Sequence, residues 1–275
     1  MERLYLKGIT KLPRTEEWAD YPFQVPVIKE LDTLEFTKPV TIFCGNNGCG
    51  KTTLLELLAA KLSAVRISEV FRDQEKEKAF QKAERAFRIW RERPAKRNFY
   101  FSAEEFIQYI KWIEREKAEA RQAIEEVEEE YLRAGRSSYA MALAKQPYQD
   151  TLMALNSMYD ASLARQSHGQ GYLDFFSNRL MPGGLYLLDE PEGALSYENQ
   201  YVLALMILRS VQNGCQFFLS THSPVLTAIP DADILEIQEG SFVHTSYGDL
   251  DNMRFLNLFL SQREQMFHPS LWQEE

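Results

Sequence analysis

Residues 39–62 read PVTIFCGNNGCGKTTLLELLAAKL, and the reading of this stretch decides the fold. Val40 to Phe43 is a short apolar run with β-branched residues, the kind that forms a buried strand. Leu54 to Leu62 is rich in good helix formers. Between them Gly45-Asn46-Asn47-Gly48-Cys49-Gly50-Lys51-Thr52 fits the pattern G-x-x-x-x-G-K-[ST]. Glycines at those positions let successive backbone N–H groups converge on phosphate, and the following helix turns its positive end toward the same place. The lysine of this pattern reaches the β and γ phosphates, and the threonine hydroxyl ligates magnesium. Average residue frequencies give a chance match in a chain of this length about 1% of the time. The stretch is therefore read as strand, phosphate loop and helix, with ATP and Mg2+ as its ligands.

The chain keeps this character on either side. Upstream, LYLKGI and LDTLEF are short apolar runs bounded by turn residues, and they predict strands. Downstream of Gly183, LYLLDE and CQFFLSTHS predict buried strands with the amphipathic helix YENQYVLALMILRSVQ between them, and DILEIQEG with SFVHTSYGD predicts a terminal β-hairpin. The expected fold is α/β, a P-loop NTPase with an inserted α-helical subdomain. Its ATPase domain is expected to comprise residues 1–64 and 167–275, around a mostly helical insertion at 65–166.

The insertion has two charge signs. Arg66 to Arg97 carries 11 Lys or Arg against 6 Asp or Glu, and after the strand-like NFYF the segment Ala103 to Arg133 carries 5 against 10. In the second segment Phe106, Ile110, Ile113, Lys117, Ala120, Ile124, Val127 and Tyr131 form a heptad stripe broken by Lys117. Gly135 is expected to end that helix and Pro147 to interrupt the next segment. One reading of the stripe is an amphipathic helix packed on its own domain. The other is a short antiparallel hairpin projecting from the body, and four heptads leave both open.

Composition bounds the rest. With 275 residues, 45% of them hydrophobic, the chain can bury a substantial core. A net charge of −9 opposes a surface devoted to nucleic acid, so any such contact has to be local. Cys44, Cys49 and Cys215 lack metal-ligand spacing and fit a reducing compartment. No apolar run approaches the roughly 20 residues that span a bilayer, and MERLYLKGIT lacks the apolar segment of a secretory signal. The expectation is a cytoplasmic protein without membrane contact.

Three further segments carry chemistry. Leu185-Tyr186-Leu187-Leu188 ends in Asp189 and Glu190. Beside a phosphate loop the first carboxylate belongs near magnesium, and the second can polarise an attacking water. Phe217-Phe218-Leu219-Ser220-Thr221 delivers His222 at a strand's carboxyl end, the ligand side of an open α/β sheet. A neutral imidazole there can hydrogen-bond a γ-phosphate. Finally Ser167-His168-Gly169-Gln170 precedes the apolar run from Tyr172, so it sits at a helix N-terminus suited to an anion. One nucleotide does not need two such devices from one chain, which implies that the second reaches a nucleotide held by another copy.

In this order the motifs resemble the ABC-type ATPase heads of the SMC and recombination-repair superfamily, and within it small stand-alone AAA-family, ABC-like ATPases. The segments are GNNGCGKTT (Walker A), SHGQG (signature), LYLLDEPEGALS (Walker B and D-loop) and STHSP (switch histidine). The resemblance implies that Lys51, Thr52 and Thr53 contact phosphate, with Thr52 and Asp189 on the magnesium side. Glu190 would be the catalytic base, His222 the γ-phosphate sensor, and Ser167 and Gly169 would act in trans. The Q-loop glutamine of such heads has no clear counterpart; Glu104, after NFYF, falls nearest to its place. The D-loop reads Ala194-Leu195-Ser196 without its usual aspartate, and Tyr5, Tyr21 and Phe23 all remain open as the adenine-stacking residue.

The function expected is Mg-dependent ATP hydrolysis by a head-to-tail homodimer, an ATP-driven switch in DNA maintenance or antiphage defence. The alternative is a slowly hydrolysing, ATP-gated module that docks an effector such as a nuclease or toxin. The basic, aromatic-bearing segment Phe80 to Arg91 is the candidate for nucleic-acid contact, set against the ordinary reading of a solvated helix face. A transporter head is the least favoured reading.

Overall fold

The computed structural model describes residues 4–13, 20–67, 74–158 and 168–267. The strands, in chain order, are β1 (Leu6–Lys11), β2 (Thr33–Glu35), β3 (Val40–Cys44), β4 (Phe87–Arg91), β5 (Arg97–Ser102), β6 (Gly184–Asp189), β7 (Gln216–Ser220), β8 (Asp233–Gln238) and β9 (Ser241–His244). The helices are α1 (Pro26–Lys29), α2 (Lys51–Lys61), α3 (Gln74–Ala83), α4 (Ala103–Arg133), α5 (Ser138–Met158), α6 (His168–Arg179), α7 (Tyr197–Gln212), α8 (Pro224–Thr227), α9 (Asp251–Ser261) and α10 (Arg263–Met266).

Six strands form one sheet in the order β5-β6-β7-β3-β8-β9, and a second sheet has the order β2-β1-β4. In the large sheet β5, β6, β7, β3 and β8 run parallel, while β9 closes the expected hairpin antiparallel to β8. All five residues of β3 and all six of β6 are buried, as strands covered on both faces must be. Alternate residues feed two cores. Ile42, Phe101, Leu188 and Leu219 pack with α6 and α7, whereas Phe43, Tyr100, Leu187 and Phe218 pack with α2 and the small sheet. Because the strands are parallel, their carboxyl ends share one edge. The register aligns Ser102 with Asp189, Asp189 with Ser220, and Phe43 with Ser220.

The helical insertion is narrower than 65–166. Phe87–Arg91 is a strand of the small sheet and Arg97–Ser102 the edge strand of the large one, so among the described residues the helical excursion between β5 and α6 consists of α4 and α5. In β4 the alternation decides against a helix: Phe87 and Ile89 face the core opposite Lys11 and Ile9, while Arg88 and Trp90 face outward. Phe80 and Phe87 are thus core residues, and Arg85, Arg88 and Arg91 stay exposed on a helix end and an edge strand rather than along one helix.

α4 and α5 pack on each other as an antiparallel hairpin. Gly135, at φ +60°, ends α4 as expected, with the Arg136 amide bonding back to Tyr131 O at 3.0 Å. The near half of the stripe, Phe106, Ile113, Lys117 and Ala120, is buried, and Lys145 pairs with Glu128 across the hairpin. Contrary to expectation Pro147 does not interrupt α5, which runs through it. The segment around it is largely exposed, so the carbonyl a turn earlier is open to water.

Candidate functional site

The site is built where the strand ends meet the glycine loop. Gly45, Gly48 and Gly50 all have positive φ (137°, 79° and 102°), and a Cβ on Gly50 would lie 2.5 Å from Val27 and 2.6 Å from Val25. Only glycine lets the loop turn there and start α2. Lys51 opens that helix and is buried, with Nζ donating to Gly45 O (2.9 Å) and Asn46 O (3.1 Å) and lying 3.8 Å from Cys49 Sγ. Val25, Asn47, Gly48, Gly50, Lys51, Thr52, Thr53, Glu190 and His222 line one cavity of about 550 Å³. Gly48, Gly50, Lys51, Thr52, Thr53, Glu190 and His222 are thus brought together from three separate segments.

Asp189 ends β6 beside Thr52 of this cavity. Thr52 Oγ1 donates to its Oδ1 at 3.0 Å, and Ser220 Oγ donates to the same atom. Burial pushes its carboxyl up to about 6, against the hydrogen bonds from Ser220 and Thr52. A buried carboxylate with hydroxyl partners, one of them on the phosphate loop, fits a divalent cation. Among the described residues no cluster of three or more His, Cys, Asp or Glu could hold a metal alone.

Glu190 follows with φ +46°, a left-handed conformation unfavourable for a residue with a Cβ. Its amide is held by Ser220 O (3.0 Å) and Ser220 Oγ (3.3 Å), and its carboxylate stays half-exposed toward the cavity. His222 Nε2 lies 3.9 Å from Glu190 Oε1 and is buried without a hydrogen-bond partner among the described residues. Burial first, and the charge of Lys51 second, lower the imidazole below its usual range, so it is neutral at pH 7. A glycine loop, a lysine and a histidine line one cavity, an arrangement that can take a polyphosphate.

Other expected residues lie elsewhere or further out. Glu104 is in the first turn of α4 and accepts from Gln108 Nε2 at 3.3 Å. It lines a neighbouring cavity of about 870 Å³ that also touches Thr52, Asp189 and Glu190. Ser167 is outside the described residues; His168, Gly169 and Gln170 form the first turn of α6. Of the three aromatic candidates for adenine, Tyr5 and Phe23 are core residues, and Tyr5 bonds Gly214 O at the opposite edge of the sheet. Tyr21 is packed edge-on against Phe80, 5.4 Å between centroids. Sequence reasoning missed Val25, Ser220 and Glu192. Ser220 was findable as the polar residue ending β7, one strand over from Asp189.

Residues 23–65 match the family described as AAA domain. No curated protein matches the chain. Among solved structures, a nucleotide-free ATP-binding cassette from an ABC transporter is 15% identical, covering 99% of this chain and 100% of that one with a TM-score of 0.47. An inward-facing putative metal-chelate type ABC transporter is 17% identical, with 94% and 90% covered and a TM-score of 0.44. The Smc head domain from Pyrococcus furiosus, with an extended coiled coil and bound to the C-terminal domain of ScpA, is 13% identical, with 95% and 99% covered and a TM-score of 0.39. The family match over the glycine loop agrees with the architecture: the chain has an α/β fold in which a parallel sheet brings Asp189, Ser220 and His222 to the strand ends around a phosphate loop.

Proposed function

We propose that the protein is a Mg-dependent ATPase that hydrolyses ATP to ADP and phosphate and works as a switch between open and closed head-to-tail dimers. The observation that carries this is the convergence of Lys51, Thr52, Glu190 and His222 on one cavity above the buried Asp189. Lys51 binds the β and γ phosphates together with the loop amides, and Thr52 and Asp189 hold the metal side. Magnesium, when bound, spreads the charge that develops on the transferring phosphoryl group. Glu190 orients the attacking water and accepts its proton, and neutral His222 donates from Nε2 to the γ-phosphate. The segment Ser167 to Gln170 completes the site of a second copy. In this reading catalysis is mostly positioning and charge stabilisation.

The switch operates in the cytoplasm, in DNA maintenance or antiphage defence, on a protein effector docked at the α4–α5 hairpin. Leu132, Tyr139, Leu143 and Met153 are exposed there, which supports a docking role. Among the described residues no helix is long and apolar enough to cross a membrane.

The test is Glu190→Gln with ATP and magnesium. The variant is expected to bind ATP, lose nearly all turnover and sediment as a dimer, and adding Ser167→Arg is expected to return it to monomer. Turnover at the wild-type rate would refute the role of Glu190. A protein that binds ATP but stays monomeric at every concentration would refute the homodimer.

A further inference from the structure

Residues 88–97 read RIWRERPAKR, five cations against the single acid Glu92 in a protein of net charge −9. The site described above uses none of them. The stretch runs along β4, an edge strand of the small sheet, and ends at the first residue of β5. Arg97 is in register with Gly184, which opens β6, whereas Asp189 closes β6. Lys96 and Arg97 therefore stand at the end of the large sheet away from the phosphate loop.

These charges are not cancelled by neighbours. Glu92 is taken by Lys7 at 3.1 Å. Among the described residues none of Arg88, Arg91, Arg93, Lys96 and Arg97 pairs with a carboxylate, whereas Arg66, Arg115, Arg133, Arg136 and Arg254 all do. Aromatic rings and carbonyls hold them instead. The Arg93 guanidinium lies 4.8 Å over the Tyr5 ring and its Nη2 donates to Tyr5 Oη at 3.3 Å. Arg97 lies 5.6 Å over the Phe99 ring, and Arg91 Nη2 donates to Lys61 O at 3.3 Å. Lys96 Cδ and Tyr5 Oη flank the same point, 3.2 and 3.3 Å from where a Cβ on Gly183 would be, so Lys96 and Arg93 meet around Tyr5. An arginine already ordered on a ring gives up little freedom on binding and keeps its remaining N–H groups for a phosphate.

Trp90 adds a stacking surface to this rim. It faces Gly8 in the register of the small sheet, and a Cβ on Gly8 would lie 2.7 Å from Trp90 Cε3, so the indole rests on glycine backbone. The residue is 36% exposed, and Arg88 lies two residues along on the same face. An exposed indole beside unpaired cations is the combination that holds an unstacked base together with its phosphates. Duplex phosphates or an acidic polypeptide would engage the cations and leave the indole unused.

We infer that this rim binds single-stranded nucleic acid, Trp90 stacking on a base while Arg88, Arg93, Lys96 and Arg97 take phosphates along the strand. The inference does not depend on the proposed ATPase reading.

The test is fluorescence anisotropy of labelled oligo-dT of about 20 nucleotides with the full chain, at about 50 and about 200 mM salt. For a single strand, four phosphate contacts give log K a slope of about −0.7 each against log salt, so wild type should bind about 50-fold more weakly at the higher salt. Arg93→Gln/Lys96→Gln/Arg97→Gln keeps about one contact and should weaken only about 3-fold over the same range. Trp90→Ala should lose about 10-fold at both salts with an unchanged slope, and Trp90→Phe, which keeps a ring, should recover most of that. Lys96→Glu leaves both ring contacts in place, so it should melt like wild type and still bind about 10-fold more weakly at low salt. A duplex of the same length and a polyglutamate peptide should both bind more weakly than oligo-dT. No binding of oligo-dT at low salt, a duplex or polyglutamate bound as tightly, or a triple variant with the wild-type salt dependence would each overturn the inference. ATP hydrolysis by these variants without oligonucleotide should match wild type, so their failure to bind would leave the ATPase reading intact.

Discussion

Asp189→Asn should stabilise the protein above about pH 6. Burial raises this carboxyl from 3.8 to about 6. At about 1.4 kcal/mol per pH unit, keeping it ionised in the folded protein costs about 3 kcal/mol above pH 6. The sign follows from proton uptake. Between about pH 4 and 6 the folded state holds the proton and the unfolded chain has released it, so this group's contribution is most favourable below about pH 4 and is lost as pH rises through about 6. Asparagine has the same shape and keeps an oxygen for the Thr52 and Ser220 hydroxyls, but it has no charge to bury. Urea titrations of both proteins without nucleotide, at several pH values from 4.5 to 8, should show the variant ahead by about 3 kcal/mol at pH 8 and the gap closing toward pH 4.5. Glu56, raised to about 7 by its own burial, moves both curves the same way and largely cancels in the difference. Saturating ATP and magnesium should narrow the gap at pH 8, because only the wild type gains the metal. A variant less stable than wild type at pH 8, or a gap that does not change from pH 5 to 8, would refute the argument.

Three other expectations concern the frame of the site. Arg66 sits between Glu105 (2.6 Å) and Glu56 (3.9 Å) with its guanidinium 4.2 Å over the Tyr100 ring. Arg66→Met removes a cation from beside two partly buried carboxylates and should cost about 3 kcal/mol, with a larger loss above pH 7 than at pH 5 in melting experiments, since Glu56 can protonate only at the lower pH. Gly50→Ala meets Val25 and Val27 at under 3 Å in a backbone conformation alanine avoids. It should cost about 2 kcal/mol or more and abolish ATP binding by calorimetry. Lys117→Leu on the buried half of the hairpin stripe should add about 1–2 kcal/mol of stability, read as a higher melting temperature. Desolvation lowers the pKa of that lysine, so the advantage of leucine should shrink as pH rises toward 10.

The sequence made most of this site legible because its elements carry short-range signatures. A buried strand, three glycines and a Lys-Thr pair fix the phosphate loop wherever they occur, and Asp189-Glu190 and His222 follow apolar runs whose ends a parallel sheet brings to one edge. What was hidden depends on contacts across the chain. Phe87-Arg88-Ile89-Trp90-Arg91 follows a charged helix and has only five residues, so its period of two was outweighed until it paired with β1. Pro147 is a strong local breaker, yet α5 runs through it on the long flank of α4. Glu192 reads as one more acid in a turn. Nothing local marks it as the acceptor for a loop 29 residues away, and its identity as a clamp exists only once β6 and β7 lie side by side.

The same contacts govern what binding must do. Lys51 is spent on two loop carbonyls, Thr52 and Ser220 share one oxygen of Asp189, and Ser223 and Thr221 are engaged by Gln200 and Glu192. A phosphate that recruits Lys51 exchanges protein hydrogen bonds for new ones, so the net gain per contact is small even though each new bond is charge-assisted. The exceptions are the groups that have nothing to exchange. His222 Nε2 already waits unpaired beside the cavity, and any acceptor it meets is a full gain. In the proposed reading, discrimination between a diphosphate and a triphosphate would belong to His222 and Glu190 rather than to the glycine loop. On this argument His222→Ala should weaken ATP binding far more than ADP binding, and equal losses for the two nucleotides in calorimetry would show that the imidazole does not face the terminal phosphate.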